Sequence, residues 1–338
     1  MIQRDLHAAA RSPHDLIIVG GGIYGVAMTL EAARRGLRAV LVERDDFGHA
    51  TSWNSLRILH GGLRYLQTLD LPRFAESVAE RRWFCQHFPD LVRPLPCLMP
   101  LYKRGLKRRG VFRVALWVND WLSRRRNVGV PAALHLPPGR VLDAQETLAR
   151  FPRADRRGLQ GAALWHDAVM LNSQRILMEM LRWACSLGAM VINYAQALDL
   201  LEQNGRAAGL RVEDRLTGDI HELRSQAVIN CAGPWSASVA ASLDRQALAF
   251  HPSLAFNVLL DHAPLAQEAL AVMPRQPGSP VYFMHPWRGR ILAGTVHAPW
   301  NGPADRPMPS ESQLQAFLDD LNDAVPDWRL QRDQVLRI

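Results

Sequence analysis

Asp15-Leu16-Ile17-Ile18-Val19-Gly20-Gly21-Gly22-Ile23-Tyr24-Gly25 is the stretch whose reading decides the fold. Four apolar residues in a row predict a buried parallel strand, too short to span a bilayer. The glycines turn the chain, and Val26, Leu30 and Ala33 then recur at helical spacing until Gly36 closes the helix. Gly20, Gly22 and Gly25 fit the dinucleotide fingerprint. The first makes the tight turn, the second keeps side chain away from a pyrophosphate, and the third lets helix and strand pack closely. Free N–H groups and the helix dipole then favour an anion.

Working outward, Leu37 to Val42 predicts a second strand, ending at Glu43. An acid there suits the hydroxyls of an unphosphorylated ribose, hence FAD or NAD rather than NADP. Next comes Ala50-Thr51-Ser52-Trp53-Asn54-Ser55, then Leu56-Arg57-Ile58-Leu59-His60-Gly61-Gly62-Leu63-Arg64-Tyr65-Leu66. The hydroxyls suit a pyrophosphate or a flavin rim, and equally suit a helix N-cap.

The whole chain has 338 residues, 48% of them hydrophobic, and a formal net charge of +8, enough for two cored domains that favour an anionic ligand or surface. Cys85, Cys97, Cys185 and Cys231 lack CxxC spacing and predict reduced, mostly buried thiols. The 12 histidines form no ligand pair on a helix, so no metal is expected. Residues 1–14 lack an apolar core and no long apolar run follows, so neither a secretory signal nor a spanning helix is expected.

The segment Ala50-Thr51-Ser52 to His60-Gly61-Gly62-Leu63-Arg64-Tyr65-Leu66 resembles the FAD-dependent glycerol-3-phosphate dehydrogenase family, within the D-amino-acid-oxidase-like flavoenzymes. Val228-Ile229-Asn230-Cys231-Ala232-Gly233-Pro234-Trp235 and, more loosely, Pro286-Trp287 and Ile291 to Thr295 extend the resemblance. It implies an α/β fold, with a Rossmann-like FAD-binding domain carrying a β-meander and an antiparallel-sheet substrate domain. It implies FAD along Gly20, Gly22, Gly25, Glu43, Thr51, Ser52, Arg57, Leu59, Gly61, Ala195, Ala232 and Gly233. Hydride would pass from the C2 carbinol of a small polyol phosphate to the flavin, and electrons onward to quinone or a partner subunit. Arg64 and Tyr65 would contact substrate, the guanidinium as a fork for phosphate; a structural ion pair and a core tyrosine are the alternative. His60 would handle a proton or touch the flavin rim, or simply pack. An amine or hydroxy-acid oxidase of the same fold group, and a catalytically silent FAD-binding subunit, are the competing readings. A purely NAD-dependent dehydrogenase fits the combined motifs less well.

The family departs from this chain at several points. Asn257 stands where many members have histidine, and Tyr24 and Trp53 are bulkier than usual. The family continues with a GxRP-type arginine and a GGK-type turn, whereas this sequence stops at Ile338. The expectation is a C-terminally short chain that binds FAD weakly, is a fragment, or needs a partner.

Residues 1–70 and 140–248 are expected to form the FAD-binding domain, 71–139 a helical basic segment, and 249–338 the substrate cap. Within the basic segment, 73–88 predicts an amphipathic helix with Phe74, Val78, Cys85 and Phe88 near one face. Pro89, Pro94, Pro96 and Pro100 then break regular structure. Leu101 to Arg126 carries nine Lys/Arg against one acid, Asp120. A helix there places Val111, Val114, Ala115, Val118, Trp121 and Leu122 on one stripe, widened by Phe112, Leu116 and Trp117 and flanked by Lys103-Arg104, Lys107-Arg108-Arg109 and Arg124-Arg125-Arg126. Such a helix suits an anionic membrane surface or its own domain. Nucleic acid is not expected, because no nucleic-acid module accompanies the charge. The expected location is cytoplasmic, peripheral on the inner face of the membrane.

Further on, Asn172 to Leu187 predicts a helix and Ala189 to Tyr194 a strand, after which the resemblance brings Ala195 near the adenine. Asn204-Gly205 and Thr217-Gly218 predict hairpins of a meander whose last strand returns to the parallel sheet at Ala227 to Asn230. Leu254 to Leu260, Val281 to Met284 and Arg290 to Thr295 predict an antiparallel sheet, and Ser310 to Leu321 a capped helix.

Overall fold

The structure, a computed structural model, describes residues 2–102, 108–244, 252–276 and 278–338. In chain order it runs α1 (Leu6–Arg11), β1 (His14–Val19), α2 (Ile23–Arg34), β2 (Ala39–Val42), β3 (Ile58–Leu59), α3 (Leu71–His87), β4 (Val92–Tyr102) and α4 (Arg109–Leu122). There follow β5 (Arg140–Leu142), α5 (Ala144–Arg150), β6 (Leu159–Met170), α6 (Ser173–Ser186), β7 (Met190–Ile192), β8 (Ala195–Gln203), β9 (Arg206–Asp214), β10 (Ile220–Asn230) and α7 (Ser236–Asp244). The last elements are β11 (Ser253–Leu260), β12 (Ala269–Val272), β13 (Tyr282–Trp287), β14 (Arg290–Pro299), α8 (Glu311–Ala324) and β15 (Val335–Arg337).

Two compact units result: residues 1–54, 172–252 and 300–306, and residues 55–171, 253–299 and 307–338. The first unit ends its opening segment at Asn54 and resumes at Asn172, where the sequence led us to expect 70 and 140. The reason is pairing. β3 and β5 both bond to β6, and β6 bonds to β4, so 55–70 and 140–171 belong to the second unit's sheet.

The first unit holds a six-stranded sheet, β7-β2-β1-β10-β9-β8. β7, β2, β1 and β10 run parallel, and the rest is the expected meander. One continuous strand does both jobs: β10 pairs antiparallel with β9 through Ile220 to Arg224 and parallel with β1 from Ser225 to Asn230. Asn204 and Gly205 both take positive φ (54° and 71°), the backbone a two-residue hairpin requires. α6 buries Ile176, Leu177, Met180, Leu181 and Ala184, the stripe its period predicts, with Asn172 capping its N-terminus. Each large aliphatic so buried is worth roughly 1.5–3 kcal/mol over exposure.

The second unit holds a nine-stranded sheet built on β15-β11-β14-β13-β12-β4-β6-β3, with β5 also on β6. It is mixed rather than antiparallel, because β12 meets β4 in parallel at Cys97 and Leu98. Of the prolines expected to break structure, Pro94, Pro96 and Pro100 lie inside β4, an eleven-residue strand, and Pro89 lies ahead of it. Its ladder to β6 needs amides only at alternate residues, and Pro94, Pro96 and Pro100 all fall on the other parity. The segment 71–139 is therefore helical only in part.

α4 is shorter than expected, and Lys103, Arg104 and Lys107 lie outside the described residues. Its core contact is the narrow pair Phe112 and Leu116, beside Leu95, Leu101 and Trp165. Of the expected stripe, Val111, Val114 and Trp121 are exposed, as is Trp117 beside it, while Ala115, Val118 and Leu122 are half-buried. Ser310 caps α8 through a capping box with Gln313, as expected. Among the described residues no helix is long and apolar enough to cross a membrane.

Candidate active site

In the first unit the candidate cofactor residues gather at the carboxyl ends of β1, β2 and β10, where open parallel sheets take ligands. Gly20 has φ +108°, and a Cβ there would stand 2.6 Å from the Cys231 carbonyl oxygen and 2.9 Å from Ala232 Cα. A Cβ on Gly25 would stand 1.9 Å from the Gly20 carbonyl oxygen. Both glycines are thus demanded by neighbouring backbone, which cannot swing aside. Gly22 caps α2 with no side-chain bond, and Ser52 Oγ takes the Ile23 N–H at 2.8 Å. Ser52 is therefore a cap, but of α2 rather than of a helix that it opens itself. A backbone cradle that a side chain would fill, at a helix start rich in N–H groups, fits a diphosphate.

Glu43 is buried and accepts from Gly21 N–H at 2.6 Å and Asp45 N–H at 2.8 Å. The carboxylate locks the glycine turn and keeps lone pairs for a ribose. Ala195 is buried, its N–H donating to the Glu43 carbonyl at 2.8 Å, and Ala232 N–H donates to Asn230 Oδ1. Gly233 has φ +56° with open space around it. Thr51 and Tyr24 are exposed, and Trp53 donates to the His49 carbonyl. Glu43, Asp45 and His49 bring one ligand atom each within 4.8 Å of one another. Glu43 already serves two N–H groups and Asp45 pairs with Arg44 and Arg215, so the trio reads as a hydrogen-bonded turn.

In the second unit the other candidates line one turn. β3 pairs Ile58 with Val169 and Leu59 with Ala168, which carries His60 to Asp167 on β6. Asp167 is buried and accepts from Gly61 N–H at 2.7 Å, Arg81 Nη1 at 2.8 Å and Trp165 Nε1 at 3.3 Å, and its Oδ2 lies 3.2 Å from His60 Nδ1. Burial would push its carboxyl up, but the His60 bond, the His60 and Arg81 charges and the Gly61 N–H outweigh it and hold it below its ordinary value. A Cβ on Gly61 would meet Arg81 Nη1 at 1.9 Å, so this glycine makes room for a buried guanidinium. Neither Asp167 nor Arg81 stands among the residues singled out from sequence. Signals existed: Asp167 is a lone acid in an apolar run, and Arg81 lies at helical spacing from Phe74, Val78 and Cys85.

Arg64 and Tyr65 sit in the short 3-10 turn Leu63–Leu66. Arg64 is exposed, its Cζ 5.3 Å from the Tyr65 ring, and among the described residues no carboxylate pairs with it. Arg57, at φ +60°, lays its guanidinium over Trp287 at 4.5 Å; burial and then Arg288 hold it below its ordinary value. Leu59 is half-buried in β3. Asn257 Oδ1 accepts from Thr295 Oγ1 at 2.9 Å.

Comparison with known proteins identifies the family and the fold. A family model described as FAD dependent oxidoreductase matches residues 15–337. The chain is 29% identical over 343 residues to a glycerol-3-phosphate dehydrogenase of Synechocystis sp., covering 98% of this chain and 61% of that protein. It is 29% identical over 328 residues to an alpha-glycerophosphate oxidase of Streptococcus pneumoniae, covering 95% and 52%. The fold superposes, at TM-score 0.76 and 22% identity, on a Bacillus halodurans glycerol-3-phosphate dehydrogenase complexed with FAD, covering 97% of this chain and 56% of that one. The chain thus spans about half to three-fifths of the length of these relatives. With a family match over nearly its whole length and a glycine cradle suited to a diphosphate, the chain belongs to the FAD-dependent oxidoreductase family.

Proposed function

We propose that this chain binds FAD and oxidises the C2 carbinol of a small polyol phosphate, with glycerol 3-phosphate the first candidate. The observation that carries this reading is the turn His60 to Tyr65. It holds a histidine on a buried carboxylate and, four residues on, an exposed guanidinium with no carboxylate partner among the described residues. Gly20, Gly22, Gly25 and the start of α2 would hold the diphosphate, and Glu43 the ribose. Thr51, Ser52, Arg57, Leu59, Gly61, Ala195, Ala232 and Gly233 would serve the rest of the cofactor. When bound, FAD supplies a two-electron hydride acceptor. Arg64 would take the substrate phosphate as a two-pronged donor, and Tyr65 would add a hydroxyl. His60 would take the carbinol proton. The test is direct: load the purified chain with FAD, add glycerol 3-phosphate without oxygen, and follow the flavin absorbance. Bleaching supports the reading; an unbleached flavin in a folded, loaded protein overturns it. Peroxide release in air separates an oxidase from a chain that passes electrons to quinone or to a partner subunit.

We also infer that α4 rests on an anionic membrane surface. Val114, Trp117 and Trp121 are 62%, 68% and 56% exposed on one face, and Arg108, Arg113, Arg124 and Arg125 surround it. Apolar area and cationic rim together suit that surface. Flotation with anionic vesicles should capture the wild type and lose Trp117→Ala/Trp121→Ala; equal recovery of both in the soluble fraction overturns the inference.

A further inference from the structure

Asp167 deserves an account beyond packing, because a buried carboxylate is costly and this one faces a histidine. Its four neighbours differ in what they can do. The Gly61 N–H, the Arg81 guanidinium and the Trp165 indole N–H are donors and nothing else. A carboxylate touching Arg81 stays ionised and accepts only. The fourth neighbour, His60 Nδ1 at 3.2 Å, must therefore bring a proton of its own. The opposite tautomer would set a lone pair against a carboxylate oxygen.

We propose that Asp167 is a positioning residue, fixing His60 with its proton on Nδ1 and a lone pair on Nε2, the nitrogen that meets substrate. This rests on the reading of the chain as a carbinol dehydrogenase. In that reaction His60 Nε2 would take the C2 hydroxyl proton as the carbinol becomes a ketone, and the bound FAD would supply the acceptor for the C2 hydride and its electron pair. The arrangement around the ring supports the assignment. The His60 side chain is 44% exposed while Asp167 and Arg81 are 4% and 5% exposed, so one edge of the imidazole is held and the other is open. Phe283 meets the ring edge-on at 5.3 Å between centroids and Trp165 backs Phe283 at 6.4 Å, limiting rotation. Arg81 also donates to the His166 carbonyl at 2.9 Å, so the carboxylate's counter-charge is itself fixed. Two other titratable groups lie near. Burial pushes the Cys97 thiol well up, and burial followed by Arg126 pulls His166 down, so both are neutral near neutral pH. Among the described residues, the charge behind His60 is the Asp167–Arg81 pair.

The test has two readouts on the FAD-loaded full chain. The first is the tautomer of His60 by ring-nitrogen NMR at alkaline pH, its resonances assigned by their loss in His60→Asn. Wild type should carry the proton on Nδ1, and Asp167→Asn, whose amide can donate to that nitrogen, should move it to Nε2. A wild-type proton on Nε2 overturns the proposal whether or not any variant folds. The second is anaerobic flavin reduction by glycerol 3-phosphate against pH. Asp167→Asn should slow it by about 10²-fold and move the acidic limb of the profile to lower pH, because the imidazolium has lost its anion. A purely structural defect would lower the rate equally at all pH, and that result, or a rate within about twofold of wild type, overturns the proposal. If wild-type flavin is not reduced at all, the substrate reading falls and the tautomer still decides the role of Asp167.

Discussion

The two glycine turns of this chain look alike on paper and are built on opposite principles. In Gly20 to Gly25 the first and last glycines are required by backbone: the Cys231 carbonyl beside Gly20 and the Gly20 carbonyl beside Gly25. In His60 to Tyr65 the requirement on Gly61 comes from a side chain, the end of Arg81. The first turn is a strand, loop and helix with the end of β10 packed against its first glycine. The second is a meeting of residues from the turn, from α3 and from β6, tied by one buried carboxylate. Backbone crowding is rigid, whereas a guanidinium has somewhere to go at the cost of its partner.

That difference can be broken by mutation. Gly25→Ala is expected to have the largest effect, destabilising by about 3 kcal/mol or more with loss of retained flavin, because a carbonyl cannot rotate away. Urea unfolding and flavin content after gel filtration would check it. Gly61→Ala should cost less, about 1–3 kcal/mol, since Arg81 can yield but then leaves Asp167. The sharper form is a double-mutant cycle: in an Arg81→Lys background the same change should cost about 1 kcal/mol less. Third comes a pH effect. Asp167 titrates below its ordinary 3.8 when folded, so its ionised form adds stability above that value, which is lost as pH falls through the lowered one. The stability gap between wild type and Asp167→Asn should therefore narrow below about pH 4 in thermal melts. The smallest effect belongs to Asp15, held down to about 2 by hydrogen bonds from Arg38 on the exposed side of the first unit. Asp15→Asn should leave the melting temperature unchanged in ordinary salt, because water and ions screen that pair.

Much of the first unit was legible from residue order. β1, its glycine turn, α2 and β2 follow from spacing alone, because each depends on neighbours a few residues away. The stripe of α6 and the hairpin at Asn204-Gly205 are legible for the same reason. The second unit was less so. Proline content argued against β4, and only the parity of its ladder to β6 makes the prolines harmless. The apolar period of α4 was real, but which side faced the core depended on Leu95, Leu101 and Trp165, far away in sequence. Arg81 drew no reading of its own from the sequence, because its partner Asp167 lies 86 positions later. The candidate site divides the same way: the spacing of the cofactor turn is local, while its contact with Cys231 and the environment of His60 are assembled from a distance.

The single strand Ile220–Asn230 has a mechanical consequence. Five of its residues hold the meander and five of the next six hold the parallel sheet, so the two ladders share one backbone and cannot slide independently. A slip of one residue between β10 and β1 would turn the side chains of β10 to the other face and take Cys231 out of contact with Gly20. Strand β9, bonded to the same backbone, thus helps to hold the alignment of the cradle, though none of its residues comes from the glycine turn.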